Sequence, residues 1–129
     1  MMNQPLQNTR KGIIKNFIIP PKVSIGDWHE VTAVFQGSVK SGYFRLMLQD
    51  RDGIKQWFPD INSMIQKLSD SGENIHTGTL NFSDGLYESK WKFRPTTPLY
   101  KGQAKAVVQM FEDSNVYPLT FQEKDIRLV

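Results

Sequence analysis

The chain has no cysteine and only two histidines, His29 and His76. Without cysteine, disulfide scaffolds, thiol catalysis and cysteine-ligated metal sites are excluded. The two histidines lie far apart, and neither has the spacing of a metal site or a catalytic triad. The sequence also lacks a phosphate-binding glycine loop, a G-x-S-x-G motif and a dinucleotide fingerprint. We therefore expect no enzyme activity, no cofactor and no metal site.

Long apolar runs are missing as well. No stretch approaches the roughly 18 apolar residues of a membrane span, and residues 1–11 are too polar for a signal-peptide core. This pattern favours the cytoplasm or a particle assembled inside the cell. The 129 residues are 39% hydrophobic, enough for one core. We expect a loose, polar and basic segment at 1–11 and a single domain at 12–129.

The charge is unevenly distributed along the chain. Residues 1–22 carry four basic residues and no acidic one, whereas the remaining residues carry twelve basic against thirteen acidic. The net charge of +3 therefore comes from the N-terminal segment. A basic arm can contact nucleic acid or an acidic protein surface, but the sequence favours a solvated leader before the first strand.

Most of the chain shows the period of two that is typical of strands. The clearest case is 86–94, where two sets of residues alternate along the strand. One side carries Tyr87, Ser89, Trp91 and Phe93, and the other carries Glu88, Lys90, Lys92 and Arg94. Such alternation indicates an antiparallel sheet with one face in the core and one face exposed to solvent. The same signals, bounded by proline, glycine and aspartate turns, predict strands at 12–19, 28–36, 43–49, 54–58, 75–82, 86–94 and 103–111, with one or two closing strands at 117–121 and 125–129.

One segment breaks this period. Ile61, Met64, Ile65 and Leu68 have the spacing of one helical face, which predicts a short helix over 61–69. Eight or so short strands with frequent turns and one minor helix predict an all-β fold, an antiparallel β-sandwich of about seven to nine strands. The layout resembles the immunoglobulin pattern, which implies no function. The alternative is a small OB-like barrel.

Two groups of residues are candidates for binding a partner. The basic row of Lys90, Lys92 and Arg94, which Arg45 on another strand would extend, suits an anionic partner. Trp57 is adjacent to Phe58, so only one of the two can face the core, and an exposed Trp57 or Tyr100 suits a protein or a glycan. Trp28 is expected to begin a buried strand. Asp50-Arg51-Asp52-Gly53 resembles the start of a calcium loop, but a hairpin turn explains it better.

These observations lead to two hypotheses. The first is a non-catalytic β-sandwich module that binds a protein or a glycan, or assembles, through sheet edges, loops and an exposed aromatic residue. Pairing of strand edges would give homo-oligomers, as in structural proteins. The second is an OB-like protein that binds single-stranded nucleic acid through a basic strand face and the basic N-terminal segment. Neither involves insertion into a membrane.

Overall fold

The computed structural model describes residues 12–38, 42–58, 79–83, 86–112 and 117–129. These residues form strands of the alternating kind that the sequence predicts. In chain order the strands are β1 (Gly12–Ile18), β2 (Lys22–Val23), β3 (His29–Gly37), β4 (Gly42–Gln49), β5 (Lys55–Phe58), β6 (Thr79–Ser83), β7 (Leu86–Phe93), β8 (Gly102–Glu112) and β9 (Thr120–Leu128).

The described strands form two separate sheets. The four-stranded sheet has the order β1-β3-β7-β6, and the five-stranded sheet has the order β2-β9-β8-β4-β5. Neighbouring strands are antiparallel except for the short parallel pair of β2 and β9. The predicted all-β sandwich is therefore confirmed, and the barrel alternative is wrong.

Each of the seven strands predicted between residues 12 and 111 overlaps a strand of the structure. The closing region, where one or two strands are expected at 117–121 and 125–129, forms one strand, β9. β2 was not predicted, because two residues are too few to show an alternating pattern. The helix predicted over 61–69 lies outside the described residues.

The core lies between the two sheets and is built from alternate residues of each strand. On β7 the predicted division is confirmed, since Tyr87, Ser89, Trp91 and Phe93 are buried and the residues between them are exposed. Trp91 stacks on Phe44 of the opposite sheet with ring centroids 6.0 Å apart. Its indole N–H also donates a 3.1 Å hydrogen bond to the carbonyl oxygen of Phe58. Trp91 thus links the two layers.

The 50–53 turn is held by the Asp50 side chain. Oδ1 accepts hydrogen bonds from the amides of Asp52 and Ile54, each at 2.9 Å, and Oδ2 accepts one from the amide of Tyr100, also at 2.9 Å. Gly53 has a φ of 88°, which a residue with a side chain rarely adopts. These contacts show a hairpin turn, as the sequence predicts.

Ser89 is the polar residue of the β7 core face. It is fully buried and lies opposite Ala33 on β3, and its hydroxyl has no hydrogen-bond partner among the described residues. Because a buried unpaired hydroxyl is costly, we expect Ser89→Ala to raise the free energy of unfolding by about 1 kcal/mol. Urea denaturation followed by circular dichroism measures this. The exposed Ser38→Ala serves as the control and should change stability by less than about 0.5 kcal/mol; a destabilised Ser89→Ala variant would contradict the expectation.

Within the described part of the chain, no helix has the length and apolarity that crossing a membrane requires.

Candidate binding surfaces

The outer face of the five-stranded sheet is unusually apolar. Tyr43, Val107 and Phe111 are buried, yet they do not belong to the core cluster between the sheets. They project from β4 and β8 at positions that alternate with core residues such as Phe44 and Met110. The rings of Tyr43 and Phe111 stack with centroids 5.1 Å apart. This sheet therefore carries a second apolar cluster on the side away from the core.

Arg45 belongs to this second cluster, and the prediction that it extends the basic row of β7 is wrong. It lies on β4, in the five-stranded sheet, whereas Lys90 and Lys92 lie on the outer face of the other sheet. Its side chain is only 7% exposed. Its guanidinium carbon is 5.4 Å from the Trp57 ring centroid and 5.9 Å from that of Phe111. Arg45 thus packs between two aromatic rings.

Trp57 and Phe58 face opposite sides of β5, as their adjacency requires. Phe58 packs against the core, with its ring centroid 5.5 Å from that of Phe93. Trp57 lies on the outer face, is 37% exposed and is paired with Met47 of β4. Trp57 is thus the member of the pair that a partner can reach; its role in binding stays a prediction.

A groove of about 570 Å³ runs across the outer face beside Met47. Its apolar part comes from β4, β8, β9 and the segment before β9, where Tyr117 is 80% exposed. The lining residues are Met47, Val107, Gln109, Tyr117, Pro118, Phe121 and Glu123. Trp57 borders the groove through its pairing with Met47. The sequence pattern did not predict this groove.

Two polar groups lie in this apolar setting. The side-chain oxygen of Gln109 is buried and accepts no hydrogen bond from the residues that the structure describes. Glu123, opposite Val107 on β9, is exposed and forms no ion pair with any described residue. The nearby charges of Lys105 and Asp125 pair with each other at 3.5 Å. The groove therefore presents one negative charge that no described residue pairs with, next to a buried polar side chain.

The outer face of the four-stranded sheet is mostly polar, with Ile18 of β1 exposed beside Thr32. Lys90 and Lys92 are exposed on β7, and Arg94 follows the strand on the same side. Glu30 on β3 lies directly opposite Lys92, and Thr32 lies opposite Lys90. The structure therefore brings together three of the predicted basic residues, beside the carboxylates of Glu30 and Glu88.

Trp28 is exposed, which contradicts its predicted burial. Its side chain is 64% exposed, and the guanidinium carbon of Arg94 is 5.2 Å from its ring centroid. Because His29 pairs with Phe93 in antiparallel register, Trp28 and Arg94 are the next residues along the two segments and lie opposite each other. A signal was present in the sequence, because Trp28 has the same parity as Glu30 and Thr32, and Val31 and Ala33 fill the core positions.

Tyr100 lies apart from both surfaces. It is exposed in the connection between β7 and β8, and its amide donates to Asp50 beside the 50–53 turn. It does not line the groove next to Trp57. The binding role predicted for Tyr100 therefore stays a prediction, separate from that of Trp57.

The carboxylates and histidines of the described residues show no grouping suited to a metal ion. Within residues 12–38, 42–58, 79–83, 86–112 and 117–129, no three of the side chains His, Asp and Glu form a cluster that could hold one. Asp50 uses both oxygens to accept amide hydrogen bonds. His29 accepts a 3.0 Å hydrogen bond from the amide of Ser24, so its role is to hold the turn before β3.

The fold defines this chain as a two-sheet β-sandwich. It is similar to a Niemann-Pick type C2 protein from the Japanese carpenter ant, with a TM-score of 0.59 and 14% identity over 98% of this chain and 100% of that one. A CARDB domain from Pyrococcus furiosus, in complex with di-metal ions, aligns with a TM-score of 0.44 and 10% identity over 93% and 96% of the two chains. No protein-family model and no curated protein sequence matches this chain.

Proposed function

We propose that this β-sandwich is a protein-binding module that takes an extended peptide segment into the groove of the five-stranded sheet. The observation that carries the proposal is an apolar groove on the outer face, where a sheet open to water is ordinarily polar. Trp57 and Tyr117 flank it, and exposed aromatic residues are frequent anchors of protein interfaces.

The polar groups of the groove indicate the chemistry of the segment. A turn of the Gln109 side chain, whose oxygen is buried without a described partner, would let its amide bond a backbone group of the segment. Glu123 would pair with a lysine or arginine beside an apolar anchor, and no described residue competes for its charge. A segment with an apolar side chain next to a basic one therefore fits best.

A glycan fits this surface less well. Arg45 covers one side of the Trp57 ring, and the strand neighbour of Trp57 is the apolar Met47. Recognition of a sugar also needs polar groups beside the exposed ring face that bond the sugar hydroxyls. The second apolar cluster beside Trp57 favours a protein partner instead.

Selection from a displayed library of random peptides tests this function. We expect the wild-type chain to enrich peptides with an apolar residue next to a basic one, and Glu123→Lys to enrich acidic residues there instead. Glu30→Lys on the other sheet is the matched control and should keep the wild-type preference. Tyr117→Ala and Trp57→Ala should each weaken an enriched peptide by roughly tenfold or more.

Two results would contradict the proposal. One is enrichment of the same peptides by wild type and Glu123→Lys, because the groove would then not select the sequence. The other is absence of enriched peptides together with binding to an oligosaccharide array that Trp57→Ala abolishes, because the partner would then be a glycan.

A further inference from the structure

A second surface, on the opposite sheet, combines an exposed ring with basic side chains. It consists of Trp28, Lys90, Lys92 and Arg94, here called the basic platform, all on the outer side of the four-stranded sheet. The aromatic residues of β7 itself point into the core and cannot serve such a surface. Trp28 lies directly before β3 and supplies an exposed ring on the outer face, where the rings of β7 do not project.

The position of Trp28 is fixed by the turn that precedes it. The amide of Ser24 donates to His29 Nε2 at 3.0 Å, and the amide of Gly26 donates to the carbonyl of Pro95 at 2.7 Å. The second bond ties the turn to the end of β7, next to Arg94. These bonds fix the backbone that carries Trp28 and Arg94, and the two side chains contact each other with the guanidinium carbon 5.2 Å from the ring centroid.

The charges of this face favour an anionic ligand. Among the described residues of this face there are four cations, Lys15, Lys90, Lys92 and Arg94, against two carboxylates, Glu30 and Glu88. None of the three cations of the basic platform forms an ion pair with a described residue. Alternate residues along a strand are about 7 Å apart, so the three project as an evenly spaced row about 13 Å long.

We propose that the basic platform binds an extended single-stranded nucleic acid. One base stacks on the exposed side of Trp28, and Lys90, Lys92 and Arg94 contact successive phosphates. A ring beside a basic row is the combination that binds single strands without sequence preference. An acidic peptide would use the row of cations but gain nothing from the ring. This surface is independent of the proposed peptide groove, which lies on the other sheet.

Fluorescence anisotropy with a labelled single-stranded DNA of mixed sequence, about 12 nucleotides long, tests the proposal on the full chain. We expect binding whose log affinity falls with log salt with a slope of about −2, as three phosphate contacts on a single strand predict. Trp28→Ala should weaken binding by roughly 5- to 100-fold. Replacing Lys90, Lys92 and Arg94 together with alanine should abolish it, whereas Glu30→Lys should strengthen it.

The matched controls lie on the five-stranded sheet. Trp57→Ala removes the other exposed tryptophan, and Lys55→Ala removes an exposed base of β5; both should leave DNA binding unchanged. These controls also separate the two proposals, since Trp57→Ala should weaken peptide binding alone and Trp28→Ala should weaken DNA binding alone.

Three results would overturn the proposal. The first is absence of DNA binding at low salt. The second is unchanged affinity in Trp28→Ala, because the ring would then not stack on a base. The third is equally tight binding of polyglutamate that the triple alanine variant abolishes, because the partner would then be an acidic protein segment.

Discussion

Trp91→Ala is expected to lower the free energy of unfolding by about 3–5 kcal/mol. Trp91 is 2% exposed, so its removal leaves a large cavity between the two sheets. It also removes the ring contact with Phe44 and leaves the carbonyl of Phe58 without its indole donor. Because the free energy of unfolding of a domain of this size is only about 5–15 kcal/mol, this loss would be a large fraction of it. Urea denaturation followed by far-ultraviolet circular dichroism measures it.

Two further variants separate the causes of that loss. Trp91→Phe keeps an aromatic ring against Phe44 but cannot donate to Phe58, and we expect a smaller cost of about 1–3 kcal/mol. Trp28→Ala removes an exposed tryptophan and should cost less than about 1 kcal/mol. If Trp91→Ala cost no more than Trp28→Ala, Trp91 would not link the layers in the way described.

The strands could be predicted because each one carries its own alternating pattern. On β7 the division into buried and exposed residues follows directly from the sequence, and so does the separation of Trp57 from Phe58. The two-sheet architecture follows from the number of short strands and the turns between them. These features depend on residues that are close together in the sequence, so the pattern can be seen without knowing which strands pair.

The binding surfaces depend on which strands pair, and a single sequence does not display that. Arg45 and Lys90 have similar strand patterns, but pairing of β4 with β8 and of β7 with β3 places them on opposite sheets. The groove likewise combines Met47 with Phe121, residues far apart in the chain. Trp28 is different, since its parity relative to Val31 was visible and its burial was predicted against that pattern.

Asp50→Ala is expected to lower the thermal midpoint of unfolding by several degrees and to change how stability depends on pH. Burial acts to raise the pKa of Asp50, but hydrogen bonds from the amides of Tyr100, Ile54, Asp52 and Gly53 outweigh it and hold the pKa below its ordinary value. The charged form is therefore favoured in the folded chain. Removing the carboxylate leaves the amides of Tyr100, Ile54 and Asp52 without their side-chain acceptor and loosens the 50–53 turn, while the Gly53 amide keeps its bond to the backbone carbonyl of residue 50.

The sign of the pH dependence follows from the lowered pKa. The stabilisation by Asp50 is fully present above the ordinary aspartate pKa of about 4 and is lost as the pH falls through the lower pKa of the folded chain. The difference in stability between wild type and Asp50→Ala should thus be large at neutral pH and shrink below about pH 4. Thermal unfolding of both chains between neutral and strongly acidic pH measures this difference.

Asp52→Ala and Asp50→Asn test whether the hydrogen bonds of Asp50 are the cause. Asp52 is exposed in the same turn, and its side chain accepts none of these bonds, so Asp52→Ala should change the midpoint little. Asp50→Asn keeps one oxygen for the amides of Asp52 and Ile54 but presents an N–H group to Tyr100, so an intermediate loss is expected. A stability difference for Asp50→Ala that stays constant down to strongly acidic pH would contradict the proposed charge effect, because packing alone does not titrate.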